Sequence, residues 1–176
     1  TKANLIHHFK SKEDLGLAVL EYKIQAYKCG CLEPLLGALD PILAVETLFS
    51  QTELFFRKNG CKAGCFVGNI ALEMSDLNER FRKKASCFFE EWASGLEKSL
   101  LKHKGRGAFA SSLRPRAAAE SILALYEGSI MLARTWRDPD VFSRIGREAC
   151  RMLEVHCLGK QKNRFTKSKM EVGHGT

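Results

Sequence analysis

Histidines and cysteines are the side chains of this sequence best suited to chemistry, and both occur in groups. His7 and His8 stand together in "TKANLIHHFKSKEDL", Thr1 to Leu15, with lysines on either side. Adjacent residues on a helix point about 100° apart, so the pair does not chelate one ion, and no glutamate completes an H-E-x-x-H frame. A catalytic pair would need a nucleophile and an orienting acid, which the surrounding residues do not offer. The seven cysteines include Cys29-x-Cys31 and Cys61-x-x-x-Cys65, with Cys87, Cys150 and Cys157 standing singly. None has the C-x-x-C spacing that lets two thiolates grip a zinc ion. With no nucleophile elbow, phosphate loop or metal spacing elsewhere, the sequence predicts no catalytic residue, no metal and no cofactor.

The odd cysteine count and a Leu/Phe-rich chain argue for reduced thiols inside a cell rather than a disulfide scaffold. At 176 residues, 45% hydrophobic and 27% charged, the composition is that of a globular protein with one good core. No apolar run approaches the roughly 20 residues that span a bilayer, and no charged-then-apolar leader opens the chain. The expectation is a cytoplasmic protein without membrane contact. The net charge of +8 invites a nucleic-acid reading. Half of that excess sits in Gly159 to Thr176, where Lys160, Lys162, Arg164, Lys167 and Lys169 face Glu171 alone. This basic tail, residues 159–176, reads as disordered.

Everything between reads as helix. Ser11 with Asp14 forms a capping box ahead of Leu15, Ala18, Val19 and Tyr22, predicting a helix over about 12–28. Asp40-Pro41 starts another, carrying Val45, Leu48, Phe49, Phe55 and Phe56, and Asn59-Gly60 ends it. A shorter helix holds Phe66, Val67, Ile70, Ala71 and Met74. Phe81, Ala85, Phe88, Trp92, Leu96 and Leu100 then advance by three or four along one stripe of a long helix. From Pro115 to Trp136 the chain is apolar nearly all round, and Asp138-Pro139 signals a last helix lined by Phe142, Ile145, Ala149, Met152 and Leu153. A helix apolar on two sides buries both. One face serves its own core; the other is covered by the same chain or meets a second copy in a four-helix interface. On the second reading Ile122, Leu125, Ser129 and Leu132, with Phe142, Ile145, Ala149 and Leu153, form a dimer interface.

"TKANLIHHFKSKEDLGLAVL", Thr1 to Leu20, resembles the end of the helix-turn-helix in the TetR family of bacterial transcriptional regulators. There a short recognition helix ends in an aromatic-x-His-Phe run and a Ser-Lys-Glu start follows. "GCFVGNIALEMSDLNERFR", Gly64 to Arg82, resembles the middle of the ligand-binding domain in one branch of that family, and the closing helix pair falls where the family dimerises. The resemblance implies an all-α fold. Residues 1–30 would be part of the DNA-binding module, lacking its first two helices, and 31–158 a helical ligand-binding and dimerisation domain. It departs at Ile6, where the family usually has tyrosine.

On a helix over 2–9, Leu5 and Phe9 face a core while Lys2, Ala3, Asn4, Ile6 and His7 point outward. Such a helix fits a major groove, where asparagine pairs with adenine and apolar side chains meet a thymine methyl. Thr1 and Lys12 join them as DNA-binding candidates, Lys12 adding its charge to a helix N-terminus that suits phosphate. The resemblance further implies an operator-binding homodimer, a repressor released by a small-molecule inducer. Phe49, Phe56, Phe66, Phe88, Trp92 and Tyr126 are candidate pocket lining with Asn69, Glu73 and Glu127 as polar contacts, although an aromatic stripe is also ordinary core. Some relatives with a Gly-Cys segment respond to electrophiles, so Cys61 and Cys65, beside Lys62, are candidate thiol sensors. A helical ligand-binding or redox-sensing protein that acts through protein contacts, without DNA, is the other open reading.

Overall fold

The structure is a computed structural model that describes residues 9–158. The expectations for Thr1, Lys2, Ala3, Asn4, Ile6, His7 and the basic tail lie outside the described residues. Among the described residues seven α-helices follow one another: α1 Lys12–Tyr27, α2 Glu33–Gly37, α3 Pro41–Lys58, α4 Phe66–Met74, α5 Glu79–Gly105, α6 Pro115–Trp136 and α7 Val141–Glu154. A π-helical turn, Lys28–Leu32, joins α1 to α2. Strand-type pairing among the described residues is confined to one isolated bridge, Phe109 with Cys157.

The helix starts follow from local chemistry. Ser11 Oγ accepts the Asp14 N–H at 3.0 Å and donates to the Asp14 carboxylate at 2.8 Å. Asp40 accepts from the N–H groups of Ile42 and Leu43 ahead of Pro41, and Asn78 does the same for Arg80 and Phe81 at the head of α5. Each satisfies donors that a helix leaves orphaned, which stabilises it by about 1 kcal/mol. The start of α7 differs from the sequence expectation. The helix begins at Val141, and Asp138 instead turns the connecting loop, accepting the Asp140 N–H at 2.9 Å and Arg144 Nη2 at 2.7 Å.

The stripe on α5 is the spine of the core: Phe81, Ala85, Phe88, Trp92, Leu96 and Leu100 are all buried. Fully burying side chains of this size contributes roughly 1.5–3 kcal/mol each. Helices α3, α6 and α7 complete the bundle, with Val45, Leu48, Phe49, Ile122, Phe142, Ala149 and Leu153 inside. Gly146 is what lets α7 lie against α3, since a Cβ there would stand 2.8 Å from Phe49 Cβ. The end of α5 is fixed by His103, buried with Nδ1 at 2.8 Å from the Ser99 carbonyl and Nε2 at 2.9 Å from the Leu39 carbonyl.

Two helices carry more than one apolar stripe, and burial selects between them. On α1 the buried residues are Leu17, Leu20 and Ile24, while Val19 and Tyr22 are exposed. The helix carries two apolar stripes, and the one that meets α4 and α5 takes the core. The candidate dimer residues are corrected in the same way. Ile122, Ser129, Phe142, Ala149 and Leu153 have zero exposure in the single chain, and Leu125, Leu132 and Ile145 pack on the core. The outward side of α6 is instead Ala117, Ala124, Met131 and Thr135.

Candidate functional site: a cleft between α4 and α6

A concavity of about 680 Å³ opens between α4 and α6 with one wall from α5. That is the size of a small-molecule site. Glycines form much of its floor: Gly64, Gly68 and Gly128. Ala71, Leu72, Phe89, Ile130 and Met131 supply apolar walls, and Cys65, Asn69, Glu127, Arg134, Thr135 and Arg137 the polar groups.

Gly68 is specific to this geometry, because a Cβ there would lie 2.6 Å from Glu127 Oε2. The missing side chain lets a carboxyl on α6 reach the first turn of α4. Burial pushes the Glu127 carboxyl above the ordinary carboxylate range, only partly offset by a hydrogen bond from the Cys65 thiol. Its Oε1 has no partner among the described groups. Cys65 caps α4, its Sγ accepting the Gly68 N–H at 3.2 Å. Burial first, and the charge of Glu127 second, raise its thiol to about 12.

At the other end, Arg137 closes α6 in the left-handed conformation, φ 57°, and its Nη1 donates to the Cys61 carbonyl at 2.8 Å. Cys61, at φ 55°, shares that backbone region. These are the two non-glycine residues of positive φ among those described. Such conformations cost on the order of 1 kcal/mol or more and persist where the surroundings over-determine them. Arg134 leans over Gly64, where a Cβ would stand 3.1 Å from Nη1.

Behind the cleft runs a chain of hydroxyls whose direction can be deduced. Thr52 Oγ1 spends its hydrogen on the Leu48 carbonyl at 2.8 Å. It must therefore accept from Tyr126, 3.0 Å away, and the Tyr126 oxygen accepts from Tyr27 at 2.9 Å. Burial raises both phenols, Tyr126 to about 12, so both stay protonated as donors. The chain ties α1, α6 and α3 together, and the residue that closes α1, Tyr27, is its first donor. A π-helical turn directly follows Tyr27, a feature met mostly at functional positions.

Of the sequence-derived pocket residues, the structure brings only Asn69 and Glu127 into the cleft, with the thiol candidate Cys65 beside them. Phe49, Phe56, Phe88, Trp92 and Tyr126 are closed core at 1–2% exposure. Their rings meet edge-on or tilted, Trp92 to Tyr126 at 5.1 Å and Phe56 to Phe142 at 4.8 Å, which is packing rather than a vacancy. Phe66 stands on an exposed side of α4, and neither it nor Glu73 lines the cleft. Lys12 is exposed in the first turn of α1. A thiol sensor needs an accessible thiolate; Cys65 is buried with its thiol pushed up by that burial, and Cys61 is buried with its carbonyl accepting from Arg137. Sequence reasoning missed Arg134, Arg137, Tyr27 and Thr52. The grouping of glycines at 64, 68 and 128 was the one available signal.

The described residues thus form an all-helical domain with a side cleft and a leading helix hydrogen-bonded into its core, an architecture shared with known regulators. The family model described as "Transcriptional regulator LmrA/YxaF-like, C-terminal domain", of TetR type, matches residues 41–148. The transcriptional regulator AcuR of Cereibacter sphaeroides is 28% identical over 141 residues, 79% of this chain and 64% of AcuR. The HTH-type transcriptional repressor DhaR of a Mycobacterium species is 25% identical over 140 residues, 78% of this chain and 68% of DhaR. The solved structure of a TetR regulatory protein from Rhodobacter sphaeroides superposes with a TM-score of 0.77 at 26% identity, over 86% of this chain and 80% of that one. The chain belongs to the TetR family of transcriptional regulators. It spans about two thirds of the length of these two curated relatives. No helix among the described residues is long and apolar enough to cross a membrane, and no group of three or more His, Cys, Asp or Glu is placed to hold a metal ion.

Proposed function

We propose that the full-length protein is a cytoplasmic, homodimeric transcriptional repressor of palindromic operator DNA, released when a small molecule enters the α4–α6 cleft. The observation that carries this reading is the Tyr27–Tyr126 hydrogen bond. It joins the end of α1, the helix that follows the recognition segment, to the helix whose next residue, Glu127, lines the cleft. A ligand that shifts α6 therefore acts on α1. Lys12, exposed at the head of α1, meets a phosphate in this arrangement. Dimerisation uses the outward side of α6 at Ala117 and Ala124, whose small side chains allow close helix approach. The naming of relatives such as DhaR as repressors supports the sign of the response.

A gel shift of the full-length protein on DNA from upstream of its own gene tests the reading. Salt-sensitive, specific binding to two half-sites spaced by roughly one helical turn, about 34 Å, or a multiple is expected. Absence of specific binding, or a monomer in sedimentation at the same concentration, refutes it.

A further inference from the structure

The charged lining of the cleft is unbalanced. Glu127, Arg134 and Arg137 are its charged residues. Two guanidiniums to one carboxyl make the lining positive. Arg137 is engaged with the Cys61 carbonyl, whereas Arg134 has no hydrogen-bonding or ion-pair partner among the described residues. A free guanidinium at the mouth of an apolar cleft selects an anion, best a carboxylate that takes its paired donors. An ammonium ligand would instead meet two guanidiniums and an acid that resists ionising.

The opposite end asks for a neutral donor. Glu127 Oε1 is buried and unpaired, and an acceptor left so costs about 1–3 kcal/mol until something donates to it. Glu127 and Arg134 lie seven residues apart on one helix, about 10 Å at 1.5 Å per residue. Between them the walls are Ile130 and Met131, faced by Leu72 and Phe89.

We propose that the cleft takes an apolar-chain carboxylic acid bearing a distal hydroxyl, with the carboxylate on Arg134 and the hydroxyl donating to Glu127 Oε1. The inference rests on the reading of this cleft as the ligand site and adds the chemical class. It gives the unpaired Glu127 Oε1 a donor and the Arg134 guanidinium an anion. Gly68 contributes by leaving room for Glu127 Oε2 against α4.

Isothermal titration calorimetry on the full-length protein with three probes tests it: 8-hydroxyoctanoate, octanoate and 1,8-octanediol. The hydroxy acid is expected to bind at least about tenfold more tightly than either control, the loss of one charge-assisted or one buried hydrogen bond. Arg134→Gln should bring the hydroxy acid to the diol's affinity and leave the diol unchanged. Glu127→Leu should remove the preference over octanoate, and Glu127→Gln, which keeps a carbonyl acceptor, should retain it. A diol bound as tightly as the hydroxy acid, octanoate equal to it, or no binding by any probe at millimolar concentration overturns the class. The three-probe comparison on the unaltered protein decides this even where a variant fails to fold. Operator binding, read by gel shift without ligand, is independent of these outcomes, so failure of the ligand class and failure of the repressor reading remain distinguishable.

Discussion

The directed hydroxyl chain makes an unequal prediction for its two tyrosines. Tyr27→Phe removes one hydrogen bond and leaves the Tyr126 oxygen short of one donor. Tyr126→Phe removes two, strands the Tyr27 hydroxyl as a buried donor and empties an acceptor site on Thr52. At about 0.5–1.5 kcal/mol for each bond, with an unpaired donor costing more than an under-used acceptor, Tyr27→Phe should cost about 1 kcal/mol and Tyr126→Phe about 2–3. The double variant breaks the same two bonds as Tyr126→Phe but strands no donor, so it should be no less stable than that single change. The coupling across the cycle is then about 1 kcal/mol. Urea denaturation of the four proteins at one fixed concentration gives the numbers, with unchanged m-values showing that only stability moved. Additive losses, or Tyr27→Phe costing as much as Tyr126→Phe, would show that the phenols are not linked in the deduced direction.

Other consequences follow from single contacts. Gly146→Ala should destabilise by about 1–3 kcal/mol in the same titration, because its Cβ would meet Phe49 Cβ, which cannot rotate away. Arg116 holds the Glu90 carboxyl down from its ordinary 4.5 to about 2. A lowered carboxyl stabilises above its unfolded value, so melting temperature should fall as pH drops from 4.5 towards 2, less steeply in Glu90→Gln. Glu127 has the opposite sign: its raised carboxyl should make stability decline as pH rises above the ordinary carboxylate range, and Glu127→Gln should flatten that part of the profile. With limiting N-ethylmaleimide near neutral pH, mass spectrometry should find exposed Cys29 and Cys87 modified before buried Cys61, Cys65, Cys150 and Cys157. First modification at Cys65 would restore the thiol sensor.

How far the sequence could be read depended on whether a helix offers one apolar face or two. On α5 one stripe advances by three or four residues without a break, and all six of its residues lie buried. The caps at Ser11 and Asp40 were equally legible, because each needs only residues two or three positions away. On α1 and α6 two stripes compete, and which one turns inward is settled by neighbours distant in sequence. Tyr22, part of one apolar repeat on α1, is 71% exposed, while Ile122, read as interface, is fully covered. The cleft was the least legible part. Arg134 and Arg137, in the last turn and at the end of a helix, look like cations placed for the dipole. The Tyr27–Tyr126 bond joins residues 99 positions apart and leaves no local pattern.

The contacts along α1 are graded, and the grading bears on how a signal travels. At its head, Arg80 reaches Glu13 and Asp14 at 2.9–3.0 Å, ion pairs at the surface that contribute under about 1 kcal/mol each. Lys84 with Glu21 and Lys28 with Glu91 are of the same partly exposed kind. Burial begins at Leu17 and deepens through Leu20 and Ile24 to Tyr27, which is hydrogen-bonded and packed on Phe88 and Trp92 at 5.5 and 5.6 Å. A helix held strongly at one end and weakly at the other pivots about the strong end when its anchor moves, rather than sliding along its neighbour. On the proposed reading a shift of Tyr126 would be enlarged at Lys12, five residues beyond Leu17, the buried contact nearest the head of α1. The weak ion pairs suit that role, since they can exchange partners at little cost while Phe81, set against Gly16 where a Cβ would clash at 2.9 Å, keeps the two helices in register.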